Sequence, residues 1–320
     1  TMSIFTSSKV LGFENDDAIG PTGAADIPEV NTRFTRQMLM DTKPEDFNTL
    51  VRLSGFSHGT DVWLGNARDL ILNGTASVLE TVGCRDDIML YLISVGVNAK
   101  TAFKIMEAVR KGKVKKGGFQ DGWVETMHEH DVPDWYIESL GKIGYLFPKA
   151  HAVAYVTMAF RIAWFKVHRP LAFYATYFSI RAKAFDAEIC CAGMNDVKRK
   201  IHEIENNKDA SAVEQDLMTT LEVCYEFYRR GFHFEPISIY ESDATKFRVV
   251  EGGLLPPFTS VHGLGEAAAI DTVEKRKGKQ FISIEEFSMC CSKLSKTHIE
   301  QLRKLGAFAG MANTSQMTLF

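Results

Sequence analysis

The spacing of hydrophobic residues predicts a predominantly α-helical chain. Apolar residues recur at helical intervals between residues 76 and 183, most regularly in "NAKTAFKIMEAVRKG" and in "YLFPKAHAVAYVTMAFRIAWFKVH". Gly112 is placed to end the first of these helices, and "RKGKVKKGG" behind it is typical of a basic loop. Turn-forming residues dominate residues 1–75, where "NTRFTRQMLM" is the one helical run, with Asn31 or Thr32 as its N-cap.

The second half of the chain is more mixed. Residues 184–251 predict a charged helical region followed by a short extended part, "FHFEPISIY". The remainder holds a Gly-x-Gly turn between apolar runs, two more short helices and a polar tail that ends in "SQMTLF". No fixed-period repeat of the solenoid kind is present.

The stretch "LFPKAHAVAY" combines an apolar helix with cationic and titratable side chains at its start. Pro148 suits the first helical position, which places Lys149 and His151 in the first turn, where free N–H groups and the helix dipole favour an anion. Tyr155 lies one turn further along the same face. The pattern fits a phosphate site, although a solvated lysine, a satisfied histidine and a core aromatic residue would give the same sequence. The helix that follows is apolar on nearly every side, which predicts burial within a larger assembly.

Composition narrows the class of protein. The 320 residues are 45% hydrophobic and 24% charged, as in ordinary globular proteins, and the net charge of -3 gives no global signal for nucleic acid. We expect a cytosolic protein with no membrane partner, because we find neither a membrane-spanning run nor a secretory leader. The six cysteines lack zinc-site spacing and His128 and His130 fit a solvated turn, so we expect reduced thiols and no metal ligands.

Two segments resemble the C-family replicative DNA polymerases. "LFPKAHAVAYVTMAFRIAWFKVHRPLAFYATYFSIRA" is similar to the fingers of that family, and its Phe-Pro-Lys variant is similar to the PolC type of Gram-positive bacteria. "IPEVNTRFTRQMLMDTKPEDFNTLVRLSGFSHGTDVWLGNA" resembles PolC over its whole length, and the similarity extends across essentially the whole chain.

The resemblance implies a mainly α, multi-domain fold with helical fingers, a small α+β part and a helix-hairpin-helix domain. The implied boundaries are 1–183 for the fingers, 184–251 for the linking segment, 252–312 for the helix-hairpin-helix region and 313–320 for a C-terminal peptide.

The resemblance also implies a site for the incoming deoxynucleoside triphosphate. Lys149 and His151 would meet the triphosphate, and Tyr155 or Phe147 would lie near the base or sugar. Further candidates for the phosphates or the site wall are Arg33, Arg36 and His58. Asp61 and Trp63, which follow closely, are expected to be structural.

Catalytic carboxylates are not expected in this chain. Two-metal nucleotidyl transfer needs carboxylates that clamp both cations from one side, whereas the acidic pairs Asp16–Asp17 and Asp86–Asp87 would diverge. In PolC the palm and other N-terminal domains precede this segment, so we expect a C-terminal third that cannot polymerise alone. The Mg²⁺ of the full enzyme would be held mainly by the absent palm.

A second motif, "FTSVHGLGEAAAIDTVEKRKG", has the pattern of a helix-hairpin-helix. Its turn, Gly263-Leu264-Gly265, would let backbone N–H groups approach a DNA phosphate, with Lys275 and Lys277 following. From the residues alone a simple tight turn is equally compatible; the resemblance to PolC, which holds duplex product with such hairpins, favours DNA. His262 stands where these hairpins commonly have proline. "KLSKTHIEQLRKLGAF" resembles a degenerate companion hairpin that serves packing.

The basic segment around Gly112 is a secondary candidate. Arg110, Lys111 and Lys113 could follow template or primer phosphates, which would make binding steeply salt-dependent, and a solvated turn is the alternative.

The tail "QMTLF" presents large apolar residues behind a polar tether, "GMANTS". It is similar to the peptide by which bacterial polymerases bind the sliding clamp, with Gln316 at the pocket rim and Met317, Leu319 and Phe320 inside. On sequence alone, a tail folded back on its own domain is the alternative. The implied partners are thus primer-template DNA, deoxynucleoside triphosphates, the sliding clamp and the rest of the polymerase. A non-enzymatic DNA- and clamp-binding adaptor with a fingers-like fold is the alternative function.

Overall fold

The computed structural model describes residues 1–14, 16–181 and 184–315 and is mainly α-helical. The chain forms two compact units, the first from Thr1–Val10 and Thr22–Ala163, the second from Leu11–Pro21 and the residues from Trp164 onward. The predicted mainly α, multi-domain fold class is confirmed. Within the described ranges, no helix combines the length and apolar character needed to cross a membrane.

The first unit is built from eight helices and most of a ninth, counted over its described residues. They are α1 (Arg33–Thr42), α2 (Phe47–His58), α3 (Arg68–Leu72), α4 (Arg85–Ser94), α5 (Ala99–Arg110), α6 (Lys113–Gly117), α7 (Trp123–Glu129), α8 (Asp134–Lys142) and α9 (Lys149–His168), of which α9 continues into the second unit.

Side-chain caps explain where several of these helices begin. Thr32 accepts from the Thr35 N–H at the start of α1, which confirms one of the two predicted N-caps, and Asp46 does the same for α2. Asn98 caps α5, and Gly112 follows its end with a φ of 67°, as predicted for a C-terminal glycine. The core includes the stacked pair Phe56–Trp63 at 5.1 Å, so Trp63 has the structural place expected of it.

The second unit contains α10 (Pro170–Ile180), α11 (Ala187–Cys190), α12 (Met194–Asn206), α13 (Ala212–Arg229), α14 (Glu266–Lys275), α15 (Ile284–Cys290) and α16 (Lys296–Lys304). Its small sheet joins β1 (His233–Phe234), β2 (Arg248–Val250) and β3 (Gly253–Leu255) in the order β1-β3-β2. β1 pairs with β3 in parallel and β2 pairs with β3 antiparallel.

A polar cluster lies in the second unit, and we call it the sealed cluster: the buried residues Lys166, Tyr174 and Glu226, with the half-buried Arg230 at its edge. The Lys166 ammonium lies 2.8 Å from the Glu226 carboxylate, and both side chains have no exposed surface. The Tyr174 hydroxyl donates to the same carboxylate at 2.5 Å, and Arg230 donates to the Lys166 carbonyl at 2.9 Å. Each buried polar group in it therefore has a partner, as burial requires.

The segment Leu11–Pro21 is held to the second unit by its acidic pair. Asp16 accepts from the Tyr225 hydroxyl at 3.0 Å and lies 3.1 Å from Arg229, while Asp17 accepts from Lys198 at 2.6 Å. The two carboxylates have different cationic partners, Arg229 for Asp16 and Lys198 for Asp17.

Several predicted elements differ in detail. Residues 1–75 contain α2 and α3 besides α1; α2 forms because Asp46 caps a run with apolar residues at helical spacing. The basic loop is partly helical, since the buried Val114 anchors α6. α9 begins at Lys149, with the Pro148 carbonyl accepting the Ala152 N–H, so Pro148 precedes the helix. The extended part predicted over 232–240 forms a strand only at β1.

Candidate functional site

Aromatic and imidazole rings gather around the start of α9, and we call them the ring cluster: His58, Phe147, His151 and Tyr155. The His58 and Phe147 rings stack with centroids 4.7 Å apart, and Tyr155 lies 5.9 Å from His58 and 6.1 Å from Phe147. His151 meets Phe147 edge-on at 5.8 Å. Tyr155 remains 46% exposed, and His151 is also exposed. Four of the predicted nucleotide-site residues are thus brought together, and three of them, His58, His151 and Tyr155, are exposed.

His58 is held in this cluster by Glu29. Its Nε2 lies 2.6 Å from a Glu29 carboxylate oxygen, and because an ionised carboxylate only accepts, the imidazole donates this hydrogen bond. A small cavity of ≈ 10 Å³ is lined by Glu29 and Thr35 on one side and by Val156 of α9 on the other. The first turn of α1, which carries Arg33 and Arg36, therefore lies next to the second turn of α9. Arg33 is exposed and Arg36 is half-buried.

Lys149 is engaged by the two acidic residues that begin α4. The Asp86 carboxylate accepts the backbone N–H of Lys149 at 2.8 Å, and the Lys149 ammonium lies 3.3 Å from Asp87. Asp86 and Asp87 thus bind different atoms of Lys149, the backbone N–H and the side-chain ammonium, and whether the two carboxylates diverge stays a prediction. One N–H group at the start of α9 is therefore already satisfied within the chain.

Asp87 also has partners that are closer to it than Lys149 is. We call Arg52, Asp87 and Lys149 the open cluster. Arg52 lies 2.6 Å from Asp87, and the backbone N–H of Cys84 donates to it at 2.7 Å. Side-chain exposure is 10% for Arg52 and 7% for Asp87, against 32% for Lys149. Burial, reinforced by the negative charge of Asp87, raises the pKa of the neighbouring Cys84 thiol to about 12.

A cleft of ≈ 580 Å³ opens beside this cluster. Arg52, Asp87 and Lys149 line it together with aromatic side chains from Tyr91, Trp135 and Tyr136. Burial raises the pKa of the Tyr136 phenol, whose hydroxyl has no hydrogen-bond partner among the described residues. Sequence reasoning missed Arg52, Asp87 and Glu29 as parts of the site. Arg52 and Lys149 face Asp87, and His58 faces Glu29. Only contacts between residues distant in sequence reveal these pairings.

α9 is not covered on all sides within the described chain. Ala152, Val156 and Ala159 are buried, whereas Val153, Tyr155 and Met158 have exposed fractions of 39%, 46% and 52%. The residues of the described chain therefore do not bury α9 on every side, as the sequence pattern predicts for a larger assembly. The helix has more apolar positions than the core of this chain covers.

The glycine turn of the second motif precedes α14 as predicted. Gly263 has a φ of 75°, a conformation that favours glycine, and Leu264 is buried. Gly265 instead has a φ of -73° and forms the N-cap of α14, and a Cβ built on it would meet nothing within 4 Å. Neither backbone angle nor crowding within the described chain explains glycine at this position. A ligand that approaches the N–H groups would explain it.

The predicted cations lie at the other end of the helix. Lys275 is the last residue of α14, so the ten-residue helix puts roughly 15 Å between it and the glycine turn. Lys277 lies beyond Lys275 and pairs with Glu274 at 2.6 Å. Arg276 is a structural residue, because it donates to the Ile239 carbonyl and lies over the Phe258 ring.

Histidines, not lysines, stand near the glycine turn. His262 is 76% exposed and lies 3.3 Å from Asp186. His298 of α16 has its Nε2 3.9 Å from the place of a Cβ on Gly263. Its Nδ1 accepts the Ser295 N–H at 3.2 Å, so the neutral ring carries its proton on Nε2. The degenerate companion hairpin thus packs through Ile299 and Leu302, as expected, and also brings a donor to the turn.

Comparison with known proteins gives two family models along the chain. Residues 1–131 match the bacterial DNA polymerase III alpha subunit finger domain, and residues 231–317 match the helix-hairpin-helix motif. DNA polymerase III PolC-type of Caldanaerobacter subterraneus is 50% identical over 321 residues, which cover 100% of this chain and 23% of that protein. The resemblance to PolC-type DNA polymerase III is confirmed.

Further PolC-type relatives show the same relation. DNA polymerase III PolC-type of Halalkalibacterium halodurans is 49% identical and that of Streptococcus suis 48% identical, in each case over 100% of this chain and 22% of the relative. The chain spans less than a quarter of the length of these PolC-type relatives.

The basic stretch around Gly112 is partly neutralised within the chain. Glu107 accepts from Arg110 at 3.0 Å and from Lys111 at 2.8 Å, and these two cations lower the pKa of its carboxyl to about 2. Lys113 is exposed, and Lys115 pairs with Asp61 at 2.6 Å, which gives Asp61 the structural role expected of it.

The segment before the predicted clamp peptide is fixed and is not a loose tether. The Ala312 and Asn313 carbonyls accept N–H groups at the start of α15, and Ser315 hydrogen-bonds Ser283 at 2.8 Å. Gln316, Met317, Leu319 and Phe320 lie outside the described residues. The clamp assignment therefore stays a prediction.

Proposed function

We propose that this chain is part of a replicative DNA-directed DNA polymerase, in which it binds the incoming deoxynucleoside triphosphate and holds the primer-template duplex. The observation that carries the proposal is that the whole of this chain is about 50% identical to a part of PolC-type relatives. The ring cluster at the start of α9 supports it. A site that combines exposed rings with cationic side chains suits a nucleotide, which offers a base and a triphosphate.

Lys149 would exchange Asp87 for the triphosphate. The exchange leaves Asp87 paired with Arg52 at 2.6 Å and hydrogen-bonded by the Gly83 and Cys84 N–H groups, so no buried charge is stranded. His151 offers a second donor in the same turn. Phosphoryl transfer demands mainly positioning and charge stabilisation, which these groups and the helix N-terminus supply.

The remaining candidates would complete the wall of the site. Arg33 and Arg36 would supply further phosphate donors from the first turn of α1, and His58 would hold Phe147 and Tyr155 in place for the base or sugar.

We propose that the exposed face of α9 meets the palm, which would also supply the carboxylates for Mg²⁺. The acidic pairs described here do not fit that role, because each is committed to cations or N–H groups of this chain. Alone, the chain is proposed to be inactive.

The glycine turn would hold duplex DNA through the N–H groups at the start of α14, with His298 as an additional donor. Lys275 and Lys277 would contact the backbone further along. The peptide Gln316–Phe320 would dock on the sliding clamp from the fixed end of the described chain.

A matched pair of glycine substitutions tests the duplex site. Gly265→Ala and Gly141→Ala each add one methyl group where nothing lies within 4 Å and the backbone is not left-handed. We expect Gly265→Ala to weaken duplex binding about tenfold while the free energy of unfolding stays within about 0.5 kcal/mol of wild type. Gly141→Ala lies within α8, so it should leave duplex affinity unchanged and raise the free energy of unfolding by at most about 1 kcal/mol. Wild-type duplex affinity in Gly265→Ala, measured by fluorescence anisotropy, would contradict the proposed hairpin site.

The nucleotide site is tested by steady-state primer extension with the full-length PolC-type polymerase that carries these residues. Lys149→Gln removes one charged donor, and we expect the KM for the nucleotide to rise about tenfold or more with primer-template affinity unchanged. Lys142→Gln, which changes a lysine that donates to the Gly65 carbonyl, is the matched control. An unchanged KM in Lys149→Gln would overturn the assignment.

A non-enzymatic DNA- and clamp-binding adaptor is favoured by one observation. The α9 N-terminus and Lys149 are both engaged by carboxylates of the same chain. Nucleotide binding that survives Lys149→Gln and His151→Gln together would support the adaptor, whereas its loss with unchanged duplex binding would support the polymerase.

A further inference from the structure

A groove runs along the surface formed by α5, α6 and the start of α7, and we call it the α5–α7 groove. Its volume is ≈ 470 Å³. Two kinds of side chain line it: the rings of Phe103, Phe119 and Trp123, and the ammonium groups of Lys104, Lys111 and Lys113.

The rings of this groove are accessible. Phe103 has an exposed fraction of 50%, and Phe119 and Trp123 are half-buried. Gly117 and Gly118 also line the groove, and a Cβ on either would meet nothing within 4 Å. The chain therefore leaves open both aromatic faces and a stretch of backbone.

The charge of the groove contrasts with that of the whole chain. Three lysines line it against one carboxylate, Glu107, while the chain as a whole has a net charge of -3. Glu107 is already neutralised by Arg110 and Lys111. Lys104 and Lys113 are exposed, and no ion pair is found for either within the described ranges.

We propose that the α5–α7 groove binds single-stranded DNA, with bases stacked on Phe103, Phe119 and Trp123 and phosphates held by the three lysines. Single strands present base faces that stack on aromatic side chains in a cationic groove. A duplex buries those faces and would leave the exposed rings without a role. The proposal rests on the proposed function only for the identity of the strand, which would be the unpaired template.

The experiment measures binding of the 320-residue chain to a fluorescent oligothymidylate of about 12 nucleotides, within the range that such grooves cover. Phe103→Ala should lower affinity about tenfold. Lys113→Gln should lower affinity about threefold and reduce the slope of log K against log salt by about 0.7, the value for one phosphate of a single strand.

The matched control for Lys113→Gln is Lys115→Gln. It makes the same charge change in the same short helix, but Lys115 pairs with Asp61 and does not line the groove. Leu90→Ala, which removes a side chain with a similar exposed fraction of 56%, is the control for Phe103→Ala. Both controls should bind the oligonucleotide as wild type does.

The proposal is overturned if Phe103→Ala and Lys113→Gln bind the oligothymidylate as tightly as wild type does. It is also overturned if polyglutamate of equal charge displaces the oligonucleotide, because binding would then depend on charge alone. Failure here is distinguishable from failure of the proposed function. Gly265→Ala reports on duplex binding alone and Lys149→Gln on nucleotide binding alone, and neither residue lines the groove.

Discussion

The helix α9 carries one lysine in each of two very different clusters. Lys149 in the open cluster has 32% of its side chain exposed and lies 3.3 Å from Asp87, which already has Arg52. Lys166 in the sealed cluster has none of its side chain exposed and lies 2.8 Å from Glu226, which is equally buried. Lys149 is therefore one of two cations that pair with its carboxylate, whereas Lys166 supplies the counter-charge of a fully buried one.

The two clusters differ in the partners that each carboxylate keeps when its lysine moves away. In the open cluster Asp87 keeps a guanidinium and two backbone donors, so Lys149 can exchange partners at little cost. In the sealed cluster, loss of either charge strands its partner away from water. A cationic side chain that is redundant for the fold is the kind that can serve a ligand, whereas a sealed pair secures structure.

The largest expected effect is in the sealed cluster. Glu226→Gln leaves the Lys166 ammonium buried without its counter-charge, and we expect a loss of about 3–5 kcal/mol in the free energy of unfolding. Urea denaturation followed by circular dichroism measures it.

Asp216→Asn is the matched control for Glu226→Gln, because Asp216 lies on the same helix but pairs with Arg181 at the surface. It should cost less than about 1 kcal/mol. Lys166→Met added to Glu226→Gln should recover more than half of the loss, because the pair is then replaced without a stranded charge. A single-variant loss below about 1 kcal/mol would show that the sealed cluster does not secure the second unit.

An intermediate effect is expected for Asp87→Asn in the open cluster. The amide oxygen can still accept the Gly83 and Cys84 N–H groups, but Arg52 loses its counter-charge. We expect a loss of about 1.5–3 kcal/mol in the free energy of unfolding. Asp86→Asn, next to it and with 40% of its side chain exposed, should cost less than about 1 kcal/mol.

Cys84 provides an independent measurement on Asp87→Asn. Its thiol has a pKa of about 12, raised first by burial and then by the Asp87 charge. Removal of that charge makes the thiolate less unfavourable, so the pKa falls and alkylation at pH 9 becomes faster. Burial remains, so the rate should stay below that of the unfolded chain. An unchanged alkylation rate would show that Asp87 does not act on this thiol.

Local pattern was sufficient for much of the fold. Thr32 and Gly112 were recognisable as helix boundaries because capping depends on neighbours in the chain. The run "CYEFYRRGFHF" likewise forms the end of α13, a left-handed Gly231 and β1. α2 was missed although Phe47, Leu50 and Val51 follow helical spacing, because the segment around it is rich in turn residues such as Pro44, Gly55 and Gly59.

Only part of the site was predictable, because sequence patterns report on residues that are close together in the chain. Periodicity and the resemblance indicated His151, Phe147 and Tyr155, which the structure brings together with His58. The carboxylates that oppose the cations come from other elements, 62 residues away in the case of Asp87 and Lys149. No spacing rule reaches that far, so the competition for Lys149 becomes visible only in the folded chain.

The smallest expected effect sharpens the comparison most. Lys149→Gln should change the free energy of unfolding by less than about 1 kcal/mol, because Asp87 keeps Arg52 and its backbone donors. Lys115→Gln breaks a surface pair in which the lysine is 44% and Asp61 is 48% exposed, and it should also cost less than about 1 kcal/mol in urea denaturation. A loss above about 2 kcal/mol in Lys149→Gln would mean that the open cluster is as structural as the sealed one, and that Lys149 is not available to exchange Asp87 for a phosphate.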